Sequence, residues 1–434
     1  MCITIANSIA PCYNREKSTY FFWGDTMTLI ECFDREPVEN IISCLRLNPQ
    51  KVIFLGDEEI MRPSIRRYRV FLESRGQRTE LVMKAVKIDN LNNIMSVLTE
   101  IIREEKECII DLTGGDEQVV MAVGAVLASL DEDTQKRVSV QRYNFLKNAP
   151  VDCDGDAAVI RGDDPLLSAR ELVALHGGVV HPIAEQPPKR YTPSSLDPLW
   201  YLVRENPRQW NKLISALNEF QSRSFSEEEI YVPLSGLTSV IDDFERKKAM
   251  AQTLLYALEK AGAIDNKSNK DTFHYRYTDP LLKLCVEKAG NVVELKVLLE
   301  GRTLKENGKP FFNDCMMGVT IDWDGIIHEG NKRNPDTRNE IDVILMHGAT
   351  PLFISCKNGS IEDDELYKLH TVATRFGGSH VKKMLVATEL PRKGVNPDYA
   401  FIQRAKDMDI HLVTNAADLS IQGWRDNLKD AIFK

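Results

Sequence analysis

Residues 340–357 read EIDVILMHGATPLFISCK, an apolar hairpin pattern with charged groups concentrated at one end. Side chains two apart on a strand share a face, so Glu340 and Asp342 point one way while Ile341, Val343 and Leu345 point the other. Ser355 and Lys357 likewise share a face on the second strand. A four-residue loop, His347 to Thr350 or Gly348 to Pro351, pairs Asp342 with Ser355 or Lys357 and gathers all four groups on one side. Upstream, TIDWDG places Asp322 and Asp324 on one face of the preceding strand, and VVELKVLLEG places Glu294 on the helix before it. So many converging carboxylates are costly unless a positive charge compensates, and a hard divalent cation with oxygen ligands does so. Mg²⁺ or Mn²⁺ held by Asp342, Glu340, Asp324 and Asp322 would activate water for phosphodiester hydrolysis, with Lys357 orienting the nucleophile or neutralising the transition state. The plainer readings are a cross-strand carboxylate–lysine pair and, at Asp324-Gly325, a simple turn.

The elements that must position these groups fall into three patterns. A chain of 434 residues with 43% hydrophobic content can bury more than one core, which implies a multidomain protein. From Met27 the sequence alternates strand and helix: TLIECF, then REPVENIISCLRLNP with Pro37 in its first turn, KVIFLGD, RTELVMKAV, LNNIMSVLTEIIREE, ECIIDLTGG, EQVVMAVGAVLASL and RVSVQRYNF. That order gives a parallel sheet with ligands at the carboxyl ends of its strands. Residues 27–165 form this domain, and residues 1–26 are an extension outside the pattern. Residues 166–285 are a mostly helical connector that ends in a winged-helix-like segment, without a dense run of Lys and Arg to mark a DNA-reading helix. Residues 286–434 read as one helix, three strands, a helix and a strand, a second α/β core.

Composition bounds the function. No apolar run is long enough to span a membrane and the N-terminus lacks a secretory pattern, so a cytoplasmic location is expected. The nine cysteines are scattered, without CxxC or a histidine pair at ligand spacing, so neither disulfides nor a structural zinc site is expected. A net charge of −9 argues against a broad basic surface for duplex DNA, and single strands are the expected substrate.

A second candidate site lies in IIDLTGGDEQ, where a strand runs through Thr113, Gly114, Gly115 and Asp116 directly into a helix. Consecutive glycines admit close backbone approach and a helix start favours phosphate, although a tight turn capped by Thr113 or Asp116 has the same sequence. It is neither a Walker A loop nor GxGxxG. With ECFDREP after the first strand and DLTGGDE after a later one, residues 27 to about 145 resemble a CARF domain, the dimeric sensor of cyclic oligoadenylates made by type III CRISPR complexes. The resemblance implies a pocket lined by Phe33, Asp34, Arg35 and Thr113 to Asp116, completed by a second copy of the chain.

From about 286 to 415 the chain resembles the PD-(D/E)xK nuclease superfamily, and NEIDV, FISCKNG and ELYKLHTVATRFGG after a CARF domain look like the cyclic-oligoadenylate-activated CRISPR ancillary nucleases. By that resemblance Asp342 is the strand metal ligand, Lys357 the motif lysine and Glu294 the helix carboxylate. The chain departs from the motif at Ser355, where the family has Asp or Glu. Either Glu340 supplies that carboxylate from the neighbouring strand or catalysis is lost; its placement on the face of Asp342 favours the first. The expectation is a homodimeric, metal-dependent endonuclease activated by cyclic tetra-adenylate and cutting single-stranded DNA, RNA or both. The rivals are a ligand-gated transcription regulator with an inactive C-terminal core, and a ring nuclease that degrades its own ligand.

Overall fold

The computed structural model describes residues 27–153, 165–181, 186–328, 336–359, 361–393 and 396–434; the N-terminal extension expected at 1–26 lies outside them. In the N-terminal domain β1 (Thr28–Cys32), β2 (Lys51–Gly56), β3 (Glu80–Ala85), β4 (Cys108–Asp111) and β5 (Val138–Asn144) run parallel, and β6 (Ala149–Asp152) returns antiparallel to β5. The order β3-β2-β1-β4-β5-β6 reverses direction between β1 and β4, the switch point at which such sheets bind ligands. Helices α1 (Ile42–Leu47), α2 (Glu58–Ser74), α3 (Leu91–Glu104), α4 (Glu117–Ser129) and the short α5 (Glu132–Gln135) make the connections. In α3 the buried Ile94, Leu98, Ile101 and Ile102 recur at helical spacing, and Asn90 caps the N–H of Asn93.

One connection differs from its expected form. The helix expected from Arg35 begins only at Ile42. Asn40 organises the intervening residues as a loop: its side-chain amide donates to the carbonyls of Asp34 and Glu36 and to the Tyr68 hydroxyl, and its Oδ1 accepts from the N–H of Asp34. These side-chain bonds take the backbone partners a first helical turn would use.

Next come α6 (Ala169–Leu175) and β7 (Val179–Val180), then the connector with α7 (Asp197–Glu205), α8 (Pro207–Gln221), β8 (Ile230–Pro233), α9 (Phe244–Lys260), β9 (Ile264–Asn266), β10 (Thr272–Tyr277) and α10 (Pro280–Glu287). β8-β10-β9 form an antiparallel sheet beside the helices, a winged-helix-like arrangement. The C-terminal domain comprises α11 (Asn291–Thr303), the hairpin β11 (Lys305–Glu306) and β12 (Lys309–Pro310), β13 (Asp314–Asp322), β14 (Arg338–His347), β15 (Thr350–Lys357), α12 (Asp363–Gly377), β16 (Lys382–Ala387), the hairpin β17 (Arg392–Lys393) and β18 (Asn396–Pro397), α13 (Tyr399–Asp407), β19 (Ile410–Val413) and α14 (Ile421–Phe433). Its sheet runs β19-β16-β15-β14-β13-β7, antiparallel from β7 to β15 and parallel thereafter. Residues 169–180, read from sequence as connector, therefore join this sheet, β7 as its edge strand. Both faces are covered, which is why β14 and β15 are apolar on alternate sides: Val343, Leu345 and Ile354 pack with α11, whereas Ile344, Phe353 and Leu385 pack with α12. Among the described residues no helix is long and apolar enough to cross a membrane.

The two α/β domains meet along a polar seam. Glu36 accepts from the His176 ring (2.8 Å) and from the N–H of Ser379 (2.8 Å), Glu39 bonds the His380 ring (2.6 Å), and Arg75 pairs with Glu171 (2.6 Å). At the same seam the β14–β15 turn faces Asn148 of the β5–β6 turn. Gly348 there has φ +62°, and a Cβ on it would lie 2.0 Å from the Asn148 side chain, which the Tyr143 hydroxyl holds at 2.7 Å. Gly348→Ala is expected to destabilise the protein by about 1–3 kcal/mol. Urea denaturation of this variant with and without Asn148→Ala reads the effect, the second substitution recovering the part due to the collision.

Candidate active site

The hairpin adopts the first of its two expected registers, His347 opposite Thr350, so Asp342 comes level with Ser355 and Glu340 with Lys357. The ladder stops at Val343 because the Asp342 carboxylate takes over: its Oδ2 accepts from the N–H of Cys356 (2.6 Å) and from the Ser355 hydroxyl (3.2 Å). Ser355 thus fixes one carboxylate oxygen of Asp342. Lys357, at the end of β15, pairs with Glu365 in the first turn of α12 at 3.0 Å.

Electrostatics join Glu294 to this group from α11. Burial, then the neighbouring Asp342 and Glu340 carboxylates, push its carboxyl up to about 8. Burial also raises Asp342, against the pull of the Cys356 N–H and the Lys357 charge. Burial alone would lower Lys357, but Asp342 and Glu365 outweigh it and hold the ammonium above its usual value. Glu294 and Asp342 are largely desolvated and Glu340 is exposed beside them; three neighbouring carboxylates, one of them forced towards its neutral form, are a donor set that fits a divalent cation.

Asp322 and Asp324 are not part of this group. Asp322 pairs across from Arg338, four residues before Asp342 and so about 13 Å along the strand. Its neighbours are Asp324, whose N–H it accepts at 3.1 Å, together with His181 and Asp336. The physical reason is register: the two faces match, but the carboxylates stand at different heights on their strands. Sequence reading also passed over Glu365, whose Asp363-Asp364-Glu365 run looks like ordinary helix-start charge. The available signal was its place in the first turn after the strand that ends in Lys357. Tyr367 is exposed and Lys368 pairs with Glu365, while His347 stacks on Phe311 and bonds its carbonyl.

In the N-terminal domain, the loops after β1 and β4 meet at the switch point. The N–H of Gly115 donates to Asp34 (3.3 Å), and a Cβ on Gly114 or Gly115 would lie 2.7 Å from Asp34 Cβ or 2.6 Å from Cys32 Cβ. The glycine pair is therefore required by loop-on-loop packing. Thr113 ties the second loop to β5, its hydroxyl accepting from the N–H of Tyr143. Asp116 caps α4 through the N–H of Gln118, and Arg35 is exposed. Phe33 departs from expectation: its ring is buried against Phe54 and Tyr68, in the core beneath the loop.

Glu294 also makes a prediction. An unfolded glutamate releases its proton near 4.5, the folded one near 8, so unfolding between these values releases a proton. Through this group, stability of the metal-free protein falls as pH rises from about 4.5 to about 8 and levels off above. Urea denaturation in metal-free buffer should show a smaller decline across that window for Glu294→Gln than for the parent.

Residues 292–431 match the family model described as Card1-like, endonuclease domain. No curated protein matches the chain. Among solved structures, protein VC1899 from Vibrio cholerae is similar with a TM-score of 0.67 at 16% identity, over 94% of this chain and 97% of that one. Can2 from Sulfobacillus thermosulfidooxidans, solved in complex with cyclic tetra-adenylate, gives a TM-score of 0.60 at 16% identity over 94% and 98%. The chain thus shares its fold from the N-terminal sheet to α14 with these two proteins, and its C-terminal third is similar in sequence to the Card1-like endonuclease domain.

Proposed function

We propose that the chain is an endonuclease of type III CRISPR antiviral defence, switched on by a cyclic oligoadenylate. The observation that carries this reading is the Glu340, Asp342 and Lys357 cluster inside the segment that matches an endonuclease domain. Asp342 and Glu340 would hold Mn²⁺ or Mg²⁺, which when bound polarises the phosphodiester and lowers the pKa of its water. Asp342 is pre-positioned by the Cys356 N–H and the Ser355 hydroxyl, so one of its oxygens remains for the cation. Glu340 stands in for the carboxylate missing at Ser355, and Glu294 completes the acidic group. Lys357 is charged and held by Glu365, placed to meet an oxygen of the scissile phosphate or its nucleophile.

The activator is cyclic tetra-adenylate, the ligand in the Can2 structure, seated on the loops at Asp34, Arg35 and Thr113 to Asp116 of two copies of the chain. Activation runs through the loop that follows β1. Asp34 bonds Gly115, while Glu36 and Glu39 of the same loop grip Ser379 and His380 just past α12. The other end of α12 carries Glu365, the partner of Lys357. A ligand that favours one position of the loop therefore favours one position of the lysine's partner. The substrate is single-stranded DNA or RNA, in keeping with the acidic net charge of −9.

The test is cleavage of single- and double-stranded DNA and RNA with and without cyclic tetra-adenylate, in Mn²⁺, Mg²⁺ or EDTA. Activity should need both ligand and metal and fall by about 100-fold or more in Asp342→Ala and Lys357→Ala. Glu340→Gln should be as severe as Asp342→Asn, whereas Ser355→Ala should retain measurable cleavage. Full activity in Asp342→Ala or Lys357→Ala overturns the assignment.

A further inference from the structure

The carboxylates that the active-site cluster leaves out form a group of their own at the far end of β13. Asp322 is 1% exposed, and among the described residues its Oδ2 has no hydrogen-bond partner. His181, just past β7, is 8% exposed; its backbone N–H continues the pairing with β13 by donating to the Thr320 carbonyl (2.9 Å), but among the described residues its Nε2 has no hydrogen-bond partner. The third member, Asp336, precedes β14; its Oδ2 stands 3.8 Å from that Nε2 and also accepts from the exposed Arg338 guanidinium, which a cation would displace or share. One ligand atom from each of the three lies within 4.8 Å of the others.

Two buried polar atoms left without partners beside the same carboxylate are a costly arrangement for a protein to keep. The cost disappears if the atoms converge on a cation. One imidazole nitrogen and two carboxylate oxygens are the donors of a borderline divalent ion such as Zn²⁺ and a poor match for Mg²⁺, which prefers oxygen and retains its waters. Donors around tetrahedral zinc sit about 3.4 Å apart, so the donor separations need close by at most about 1.4 Å. The backbone around them is already fixed: Asp336 Oδ1 accepts from the N–H of His328 (2.7 Å), and Asp322 Oδ1 from that of Asp324 (3.1 Å). The donors come from segments far apart in sequence, so no spacing motif reveals them.

We propose that His181, Asp322 and Asp336 form a zinc-class cation site, distinct from the Glu340 and Asp342 cluster, that pins the edge strand β7 to the C-terminal sheet. β7 needs such a fastening: among the described residues it pairs with β13 through Val179 and Val180, with one further backbone bond from His181. It follows α6, whose Glu171 is bound by Arg75 of the N-terminal domain, so the ion would secure the element that links the two domains.

The experiment uses the full chain carrying Asp342→Asn, which weakens the candidate active site as a metal ligand set. After EDTA treatment and dialysis against Zn²⁺, elemental analysis should find about one ion per chain, and Zn²⁺ but not Mg²⁺ should raise the thermal midpoint. Adding His181→Gln or Asp322→Asn should abolish both effects, with circular dichroism reporting that the variants remain folded. If either variant fails to fold, anomalous diffraction at the zinc edge from the otherwise unaltered chain decides, the expected peak lying between the three side chains. Zinc retained undiminished in both variants, or no peak at that place, overturns the proposal.

Discussion

The arrangement of the two domains depends on the burial of one carboxylate. Glu36 sits at the seam between them with its side chain 12% exposed, an expensive position for a charge unless it is fully bonded. Burial alone would raise its pKa, yet the His176 hydrogen bond and charge and the N–H groups of Ser379 and Val38 outweigh that and hold it below the ordinary range. All of these partners except Val38 belong to segments that pack into the C-terminal sheet. The ionised Glu36 therefore requires the loop after β1, the end of α6 and the end of α12 to be in register at once.

That requirement puts the proposed ligand loops and the lysine of the candidate active site on one connected path. Between Asp34 and Glu39 the chain passes from contact with Gly115 to contact with His380, whose ring also stacks on Phe145 of the N-terminal domain. From there α12, fifteen residues and about 22 Å long, reaches back to Glu365 and Lys357. A packed helix moves as a body, so a shift imposed at its C-terminal end changes the lysine–carboxylate pairing at the other.

Much of this was legible in the sequence because it is local. The period-two pattern of EIDVILMHGATPLFISCK marks the strands and their faces but leaves two registers open over a four-residue loop; the two-residue Gly348-Ala349 turn of the structure selects the one that brings Asp342 to Ser355. Strand and helix alternation gave the parallel sheet, and the glycine pair marked a close approach, although the atoms approached are those of Asp34 and Cys32. What sequence could not carry was tertiary. β7 is two residues long, the loop after β1 is held by Asn40 against its helical pattern, and Phe33 turns inward because Phe54 and Tyr68 make a place for it. The sorting of Asp322 away from Asp342 needed the height of each residue on its strand, which alternation alone does not contain.

The most direct measurement of the proposed coupling is the activation ratio, cleavage rate with saturating cyclic tetra-adenylate over the rate without, in Glu39→Gln and His380→Ala, beside ligand affinity in the same variants. Both residues lie at the seam, and neither is one of the proposed ligand contacts, Asp34, Arg35 and Thr113 to Asp116, or a member of the carboxylate–lysine cluster. With the coupling routed through this contact, ligand affinity should be largely unchanged and the activation ratio lower by about ten-fold, the scale of an ordinary coupling free energy. An activation ratio equal to that of the unaltered protein, with the Glu39–His380 contact removed, would contradict that coupling.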